Sequence, residues 1–216
     1  MKNNSIQISC DGGAATGKST GAKLISKKYK LKFLSSGLLY RYAAKLILDH
    51  DPKNKISFLK LRFNNLNYAY LNKINLHSQE ISIFSAKIAR INSIRKILKK
   101  YQKNFAKKNK NCCIEGRDIS TKILPRSNVK FFFKCSLNIA AKRRFKELKK
   151  IDKNVTFSEI KKALRIRNIS DIKRKNSPLL KHPESIEIDS GKLSKLAMVA
   201  KMSKFIDKVI KKKYGS

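Results

Sequence analysis

A glycine-rich segment near the start of the chain restricts its possible folds more than any other feature. Residues 12–20, GGAATGKST, fit the pattern G-x-x-x-x-G-K-[ST] between a strand-like run (residues 5–10) and a helix-like run (residues 21–27). In this pattern consecutive backbone N–H groups surround a polyphosphate, the lysine bridges the outer phosphates and the serine hydroxyl binds Mg²⁺. The segment predicts a loop that binds a nucleoside triphosphate, with a plain glycine-rich turn as the alternative. The loop comprises Gly12, Gly13, Ala14, Ala15, Thr16, Gly17, Lys18, Ser19 and Thr20.

Strand-like and helix-like segments alternate along most of the chain. Apolar runs at 32–34, 112–114, 129–133 and 185–189 add to the first run, and residues 38–48 show helical spacing. Such alternation implies a parallel sheet whose strands are joined by crossover helices. We therefore expect an α/β fold of the P-loop NTPase type, with a doubly wound parallel sheet of about five strands.

Residues 51–110 interrupt the alternation and predict an insertion. Within it, residues 67–76 alternate like a short hairpin, and residues 80–107 predict two helices joined near Asn92 and Ser93. After the insertion, a basic helical hairpin is expected over about residues 137–177 and a terminal helix over about residues 192–212.

The chain is strongly basic. It has 52 Lys and Arg against 14 Asp and Glu, a formal net charge of +38. Such an excess favours binding to nucleic acids through counterion release. The lysines, however, are scattered along helix-like segments and do not cluster with aromatic residues, so we attribute them to compositional drift. We expect no specific nucleic-acid partner, only weak binding with a Kd of roughly 10⁻⁴ to 10⁻⁶ M.

Nothing in the sequence points to export or to a membrane span. Residues 1–4 are followed by no apolar leader, and no run approaches the ~18 apolar residues that a span needs. We therefore expect a cytoplasmic protein.

The cysteines lack C-x-x-C spacing and lie in or beside strand-like runs, which favours reduced, buried thiols over a metal site. They are Cys10, Cys112, Cys113 and Cys135.

Four further clusters carry candidate acceptor-binding residues. Ligands of doubly wound α/β proteins bind beyond the carboxyl ends of the strands, where most of these clusters can converge with the loop. Several arginines directed at one crevice require a polyanion to neutralise them. The clusters are Ser35-Ser36-Gly37 with Tyr40-Arg41; Arg95; Glu115-Gly116-Arg117-Asp118; and Arg167, Asp171 and Arg174.

In order and spacing these motifs resemble those of the bacterial cytidylate kinase family over nearly the whole chain. The family's D-G-x-A-x-[ST]-G-K-[SG]-T matches residues 11–20, and its D-[ST]-G-x-x-Y-R segment corresponds to residues 35–41. Its V-A-x-x-P-x-V-R and Q-R-x-F-A segments correspond to residues 88–95 and 102–106. Its [EDV]-G-R-D-[IM]-[GS]-T-x-[VI]-[FL]-P and R-[DN]-x-x-D-x-x-R-x-x-x-P-L motifs correspond to residues 115–125 and 167–179.

The resemblance implies a P-loop kinase core of residues 1–50 and 111–216 with a helical lid at about 140–178. Residues 51–110 then form an inserted subdomain that binds a nucleoside monophosphate. The implied activity is Mg²⁺-assisted transfer of the ATP γ-phosphoryl group to CMP or dCMP by a monomeric enzyme.

The resemblance also implies residue roles. Arg95 and Asp118 match the residues that bind cytosine, whose O2, N3 and N4 suit a cationic donor beside a carboxylate. Three arginines match the family's residues that bind the acceptor phosphate, which we call the phosphate clamp; they are Arg41, Arg117 and Arg174. Arg167 and Asp171 match the residues that bind the sugar hydroxyls. Ser36 and Tyr40 complete the implied CMP site, and Lys18 completes the implied ATP site, with Mg²⁺ bound to Ser19. The implied catalytic residues are Lys18, Arg117, Arg144 and Arg174. Arg143 is a further catalytic candidate beside Arg144.

Several positions depart from the family pattern. Ser35 replaces an aspartate, His77 stands where an arginine is frequent, and Ala86 replaces a serine that contacts the cytosine. The neighbouring Ser85 cannot simply substitute, because adjacent helical positions point about 100° apart. These changes predict weaker base selection with phosphoryl transfer intact.

Two other functions are compatible with the loop alone. A kinase for UMP or another small molecule keeps the loop without needing Arg95 and Asp118. A basic nucleic-acid-binding protein that binds ATP incidentally is the second alternative.

Overall fold

A computed structural model describes residues 5–150 and 152–215. The parallel strands are connected mainly by helices, as the alternation predicts. The strands are β1 (Gln7–Gly12), β2 (Lys32–Ser35), β3 (Cys112–Gly116), β4 (Val129–Lys134) and β5 (Ile186–Asp189). The α-helices are α1 (Lys18–Lys28), α2 (Ser36–His50), α3 (Lys55–Asn64), α4 (Gln79–Ile88), α5 (Asn92–Lys108), α6 (Leu137–Leu148), α7 (Phe157–Lys173) and α8 (Lys195–Tyr214), with a 3₁₀ helix at Tyr68–Asn72 and a π-helical turn at Ile119–Ile123.

The five strands form one sheet in the order β2-β3-β1-β4-β5. Strand β1 pairs in parallel with β3 and β4, and β4 pairs in parallel with β5. At the carboxyl end of β1, Asp11 lies opposite Gly116 on one side and Phe132 on the other. The doubly wound parallel sheet predicted from the alternation is therefore confirmed, and its central strand leads directly into the glycine-rich loop.

Apolar side chains of the central strands pack against α1 and α8. Ile8 and Phe131 are fully buried from the sheet, as are Ile25 from α1 and Ile206 from α8. Burial on this scale accounts for the continuous apolar runs, because a parallel sheet is covered on both faces. A second cluster joins α6 and α7 and includes Ala14 of the loop.

Contacts divide the described residues into two compact units. One consists of residues 34–109 and the other of the described residues before and after this range. Within the first unit α2 packs on α4 and α3 packs on α5. The second contains the glycine-rich loop and the α6–α7 hairpin. The predicted subdomain and lid boundaries stay predictions.

The hairpin predicted for residues 67–76 is wrong. Its centre is a 3₁₀ helix, which begins after Asn67, whose side chain accepts a hydrogen bond from the Ala69 N–H at 3.0 Å. In a 3₁₀ helix residues three apart lie on one face; Leu71 of this face is 2% exposed and Tyr68 is half-buried. One helical turn thus produces the apolar pattern that resembles strand alternation.

Two further expectations concern the cysteines and the membrane. Cys10, Cys112 and Cys113 are buried free thiols, whereas Cys135 is only half-buried, so the expectation of a buried thiol is wrong there. Cys135 directly follows β4, where the chain leaves the sheet.

Among the described residues, every helix is too short or too polar to cross a membrane.

The packing of α1 against β4 leads to a stability prediction. A Cβ atom on Gly21 would lie 2.8 Å from the Phe133 ring, which is 1% exposed and has no space to yield. We expect Gly21→Ala to lower the free energy of unfolding by about 1–3 kcal/mol through overpacking. Gly37→Ala is the control, because its Cβ would meet only Ser35 Oγ at 3.6 Å. Gly37→Ala should raise the unfolding free energy by about 0.4–1 kcal/mol. Urea denaturation measures both, and equal effects of the two substitutions would contradict the prediction.

Candidate active site

The glycine-rich loop connects the carboxyl end of β1 to the first turn of α1. A Cβ atom on Gly12 would lie 2.5 Å from the Phe133 carbonyl oxygen, so only glycine fits where the loop leaves the sheet. Gly17, at the cap of α1, has a φ of +75°, a conformation that favours glycine. Both glycines of the motif are therefore required by the backbone path. That path places Lys18, Ser19 and Thr20 in the first turn of α1, where backbone N–H groups favour an anion.

Lys18 is a buried cation in this loop. Its Nζ donates to the Gly13 carbonyl oxygen at 3.2 Å and lies 3.7 Å from Glu115 Oε2, and the residue is 6% exposed. Burial, and after it the charge of Arg117, lower the pKa of Lys18 to about 8, although Glu115 acts in the opposite direction. Loss of hydration is therefore the main cost of the charged form of Lys18 in the loop.

Three arginines surround the carboxylate of Asp171 on α7. Arg117 Nε donates to Oδ2 at 2.8 Å, and Arg174 Nη1 donates to Oδ1 at 3.3 Å. Burial alone would raise the pKa of Asp171, but the charges of Arg117, Arg167 and Arg174 outweigh it and hold the pKa below its usual range. Arg117 and Arg167 also act on Lys18, so the loop lysine and the arginines form one cationic cluster.

This cationic cluster has more positive than negative charge. Lys18, Arg117, Arg167 and Arg174 carry four positive charges, and Glu115 and Asp171 carry two negative charges. Four cationic side chains close together in a largely buried place favour binding of an anion with several oxygens. The structure thus brings Arg117, Arg167, Asp171 and Arg174 together near the loop lysine.

Two contacts at the loop were missed by reasoning from the sequence. Ser190, which directly follows β5, donates its hydroxyl to the Thr16 carbonyl oxygen at 2.7 Å. Asn168, on α7, accepts a hydrogen bond at Oδ1 from the Ala14 N–H at 3.2 Å. The position of Ser190 at the carboxyl end of a strand was a usable signal. For Asn168 the sequence offers only its place beside Arg167.

Adjacent arginines on α6 have different surroundings. Arg143 Nη1 and Nη2 donate to the hydroxyl and carbonyl oxygens of Ser190 at 2.9 and 2.7 Å, which places its guanidinium beside Gly17. Arg144, the predicted catalytic residue, pairs with Glu147 at 3.2 Å on its own helix. The structure therefore places Arg143 at the loop, and the catalytic role of Arg144 stays a prediction.

The unit of residues 34–109 contains the remaining predicted residues. Arg95 is 7% exposed, lies over the Tyr40 ring at 5.6 Å and donates to the Ala89 carbonyl oxygen at 3.1 Å. Arg41 Nη1 contacts the Leu76 carbonyl oxygen at 3.1 Å and His77 Nδ1 at 2.8 Å. Ser36 is buried at the start of α2. Both guanidinium groups are thus oriented within this unit by its own side chains and carbonyl oxygens.

Comparisons with known proteins agree with these motifs. The model of the cytidylate kinase family matches residues 8–208. The cytidylate kinase of Bartonella tribocorum is 39% identical over 210 residues, which cover 94% of this chain and 95% of that protein. The cytidylate kinase of Thermosipho melanesiensis is 35% identical over 217 residues, covering 96% of this chain and 97% of that protein. The chain belongs to the cytidylate kinase family.

Solved structures support the fold of this cytidylate kinase family member. A shikimate kinase from Bacteroides thetaiotaomicron has a TM-score of 0.54 at 10% identity, with 94% of this chain and 98% of that chain covered. An uncharacterized protein from Eubacterium ventriosum has a TM-score of 0.52 at 16% identity, with 94% and 99% covered. At these identities the likeness concerns the α/β fold alone.

Two departures from the cytidylate kinase pattern have structural explanations. Ser35 is the N-cap of α2, and its hydroxyl accepts a hydrogen bond from the Leu38 N–H at 3.4 Å, a role that an aspartate can also fill. Ser85 donates its hydroxyl to the Ser82 carbonyl oxygen at 2.8 Å and is 2% exposed. Its hydroxyl is therefore engaged by its own helix, and Ala86 supplies none.

The loop has a suitable ligand for Mg²⁺. Ser19 is exposed in the first turn of α1. Nowhere in residues 5–150 and 152–215 do three or more His, Cys, Asp or Glu side chains form a metal-binding group. Mg²⁺ usually takes one or two protein ligands and completes its shell with phosphate oxygens and water. The single hydroxyl of Ser19 in the glycine-rich loop is consistent with this mode of Mg²⁺ binding.

The lowered pKa of Lys18 predicts how ATP affinity depends on pH. Phosphate favours the ammonium form, so binding raises the pKa of Lys18 from its value of about 8 and takes up protons above that pH. We expect the affinity for ATP to fall as the pH rises through this value. Titration with a fluorescent ATP analogue between about pH 7 and 9.5 measures the effect.

Two variants test the origin of this pH dependence. Lys18→Met should bind ATP more weakly and lose the dependence, because the titrating ammonium group is gone. Lys27→Met, an exposed position on the same helix, should behave as the parent. A parent whose Kd stays constant over this pH range would contradict the assignment.

Proposed function

We propose that this chain is a (d)CMP kinase, which transfers the γ-phosphoryl group of ATP to CMP or dCMP and forms ADP with CDP or dCDP. Membership of the cytidylate kinase family supports the class of reaction. The observation that carries the proposal is the cluster of four cationic side chains, Lys18, Arg117, Arg167 and Arg174, beside the nucleotide-binding motif. Four cations in one place suit two phosphate groups brought close to each other.

The proposed catalysis depends on positioning and on charge. Phosphoryl transfer requires in-line alignment of donor and acceptor and neutralisation of the charge on the equatorial oxygens. Lys18 would contact the outer phosphates of ATP, and Arg117 and Arg174 would hold the acceptor phosphate. Mg²⁺ bound through Ser19 would supply further neutralisation when present. Because the acceptor is already an anionic phosphate oxygen, the reaction does not demand a strong general base.

We assign binding of the acceptor phosphate also to Arg41 and recognition of the sugar hydroxyls to Arg167 and Asp171. Guanidinium forks match phosphate oxygens in geometry, which favours arginine over lysine here. Ser36 and Tyr40 complete the proposed CMP site. The contact between Tyr40 and Arg95 supports this grouping, since the ring restricts where the guanidinium can point.

Base selection is assigned to Arg95 and Asp118. Cytosine presents O2 and N3 as acceptors beside the N4 donor, whereas uracil has an acceptor at O4 and a donor at N3. A carboxylate facing O4 leaves two acceptors unpaired, and such mismatches discriminate strongly when buried. The low exposure of both side chains supports this assignment: Asp118 is 5% exposed and Arg95 is 7% exposed, each within its own unit.

A coupled assay of ADP release tests the proposal. The acceptors are CMP, dCMP, UMP, AMP and GMP at equal concentration, each with ATP and Mg²⁺. We expect the highest kcat/KM with CMP or dCMP. Preference for another acceptor would contradict the proposal, as would ADP release that is independent of any monophosphate. A cytoplasmic location, a monomeric state and the lack of a specific nucleic-acid partner stay predictions.

The phosphate clamp predicts a selective defect in three arginine variants. Arg41→Ala, Arg117→Ala and Arg174→Ala should each impair the use of CMP far more than the binding of ATP. Loss of one charged partner in a desolvated site costs about 2–5 kcal/mol, which corresponds to at least a tenfold loss in kcat/KM for CMP. Arg126→Ala, at an exposed position, is the control. If all three variants keep kcat and KM for CMP within about twofold of the parent, the clamp is wrong.

The proposed base contacts predict a change of selectivity. Asp118→Asn should narrow the preference for CMP over UMP, because an amide can donate to O4. Ala86→Ser should improve the use of CMP by about 0.5–1.5 kcal/mol if one neutral hydrogen bond is regained. Values of kcat/KM for CMP and UMP in the parent and both variants measure these effects. An unchanged ratio in Asp118→Asn would exclude this residue from base recognition.

A further inference from the structure

Asp11 has a fully buried carboxylate that binds a distant segment of the chain. Oδ1 accepts a hydrogen bond from the Ile119 N–H at 2.8 Å. Oδ2 accepts from the Ser120 N–H at 2.8 Å and from the Ser120 hydroxyl at 2.6 Å. Three short bonds to a residue with no exposed surface fix both partners tightly. Burial raises the pKa of Asp11, although the bonds from Ser120 and Ile119 act in the opposite direction.

The bonded segment directly follows Arg117 and Asp118. Ile119 and Ser120 begin a π-helical turn, and the first N–H groups of any helical turn lack partners within it. Asp118, in the cap position, does not bond its side chain to this turn. Asp11 therefore replaces the usual local cap from a position that is more than 100 residues away in the sequence.

The backbone of Asp11 is held independently of its side chain. Strand β1 pairs with β3 and β4, with Asp11 opposite Gly116 and Phe132. A change confined to the carboxyl group thus leaves the strand, and the loop that begins at Gly12, in their hydrogen-bonded positions. Such a change instead affects the backbone of Ile119 and Ser120, and through this backbone the side chains of Arg117 and Asp118.

We propose that Asp11 is a positioning residue that anchors the Arg117–Asp118 segment to the strand leading into the nucleotide loop, so that binding of the acceptor depends on it. The proposal rests on the (d)CMP kinase function proposed above. Asp11 itself contacts neither substrate in this scheme. Its carboxylate determines the positions of Arg117, which is proposed to bind phosphate, and of Asp118, which is proposed to bind the base, relative to the glycine-rich loop.

Asp11→Asn provides the test, because an amide keeps the size of the side chain but offers one acceptor oxygen in place of two. Whichever way the amide turns, its NH₂ group faces a backbone N–H, of Ile119 or of Ser120, and the segment must shift. We expect the KM for CMP to rise about tenfold and kcat to fall, while the Kd for ATP stays within about twofold of the parent. Asp207→Asn, an exposed carboxylate on α8 that accepts from Tyr29, is the control for loss of one negative charge.

The outcomes separate the possible errors. A variant that binds CMP as the parent does, or that loses CMP and ATP affinity equally, would overturn the positioning role. If Asp11→Asn does not fold, Ser120→Ala decides, since it removes one bond and keeps both backbone bonds: a rise in KM for CMP of about threefold is expected, and an unchanged KM overturns the role. A parent that forms no ADP with CMP would contradict the proposed kinase function instead.

Discussion

The site depends on several cations held close together in a place that water hardly reaches. Burial, and after it the charge of Arg117, lower the pKa of Lys18 to about 8. In water the same ammonium group would be stabilised by its hydration shell, which the loop and its neighbours replace only in part. The carboxylates of Glu115 and Asp171 and the hydrogen bonds around them hold these cations together despite their mutual repulsion.

The parallel sheet makes this concentration of charge possible. The carboxyl ends of β1 and β3 lie side by side, so the loop after β1 and Arg117, which directly follows β3, are found at one edge of the sheet. Helix α1 presents its first backbone N–H groups at this edge, and α7 adds Arg167 and Asp171. A fold with antiparallel neighbours would separate these segments to opposite edges.

Local patterns allowed much of this to be predicted from the sequence. The strand–loop–helix context of the glycine motif, the apolar runs of β3 and β4, and the helical spacing in α5 each depend on residues close together in the chain. What could not be predicted depends on the packing of distant segments. Asp11 looks like an ordinary motif residue until Ile119 and Ser120 are seen at its carboxylate, and Ser190 and Asn168 reach the loop only through the tertiary fold. The false hairpin at residues 67–76 has a different and local origin, since one buried helical turn gives an apolar spacing that resembles the period of a strand.

The carboxylate of Asp171 occupies a role that an incoming phosphate can also play. It holds Arg117 and Arg174 in fixed directions, so in the proposed kinase both guanidinium groups would already be ordered when a phosphate binds. In the proposed kinase, an acceptor phosphate would compete with the Asp171 carboxylate for these guanidinium groups. Weakening the existing ion pairs would then offset part of the free energy of phosphate binding and would limit how tightly the product is held.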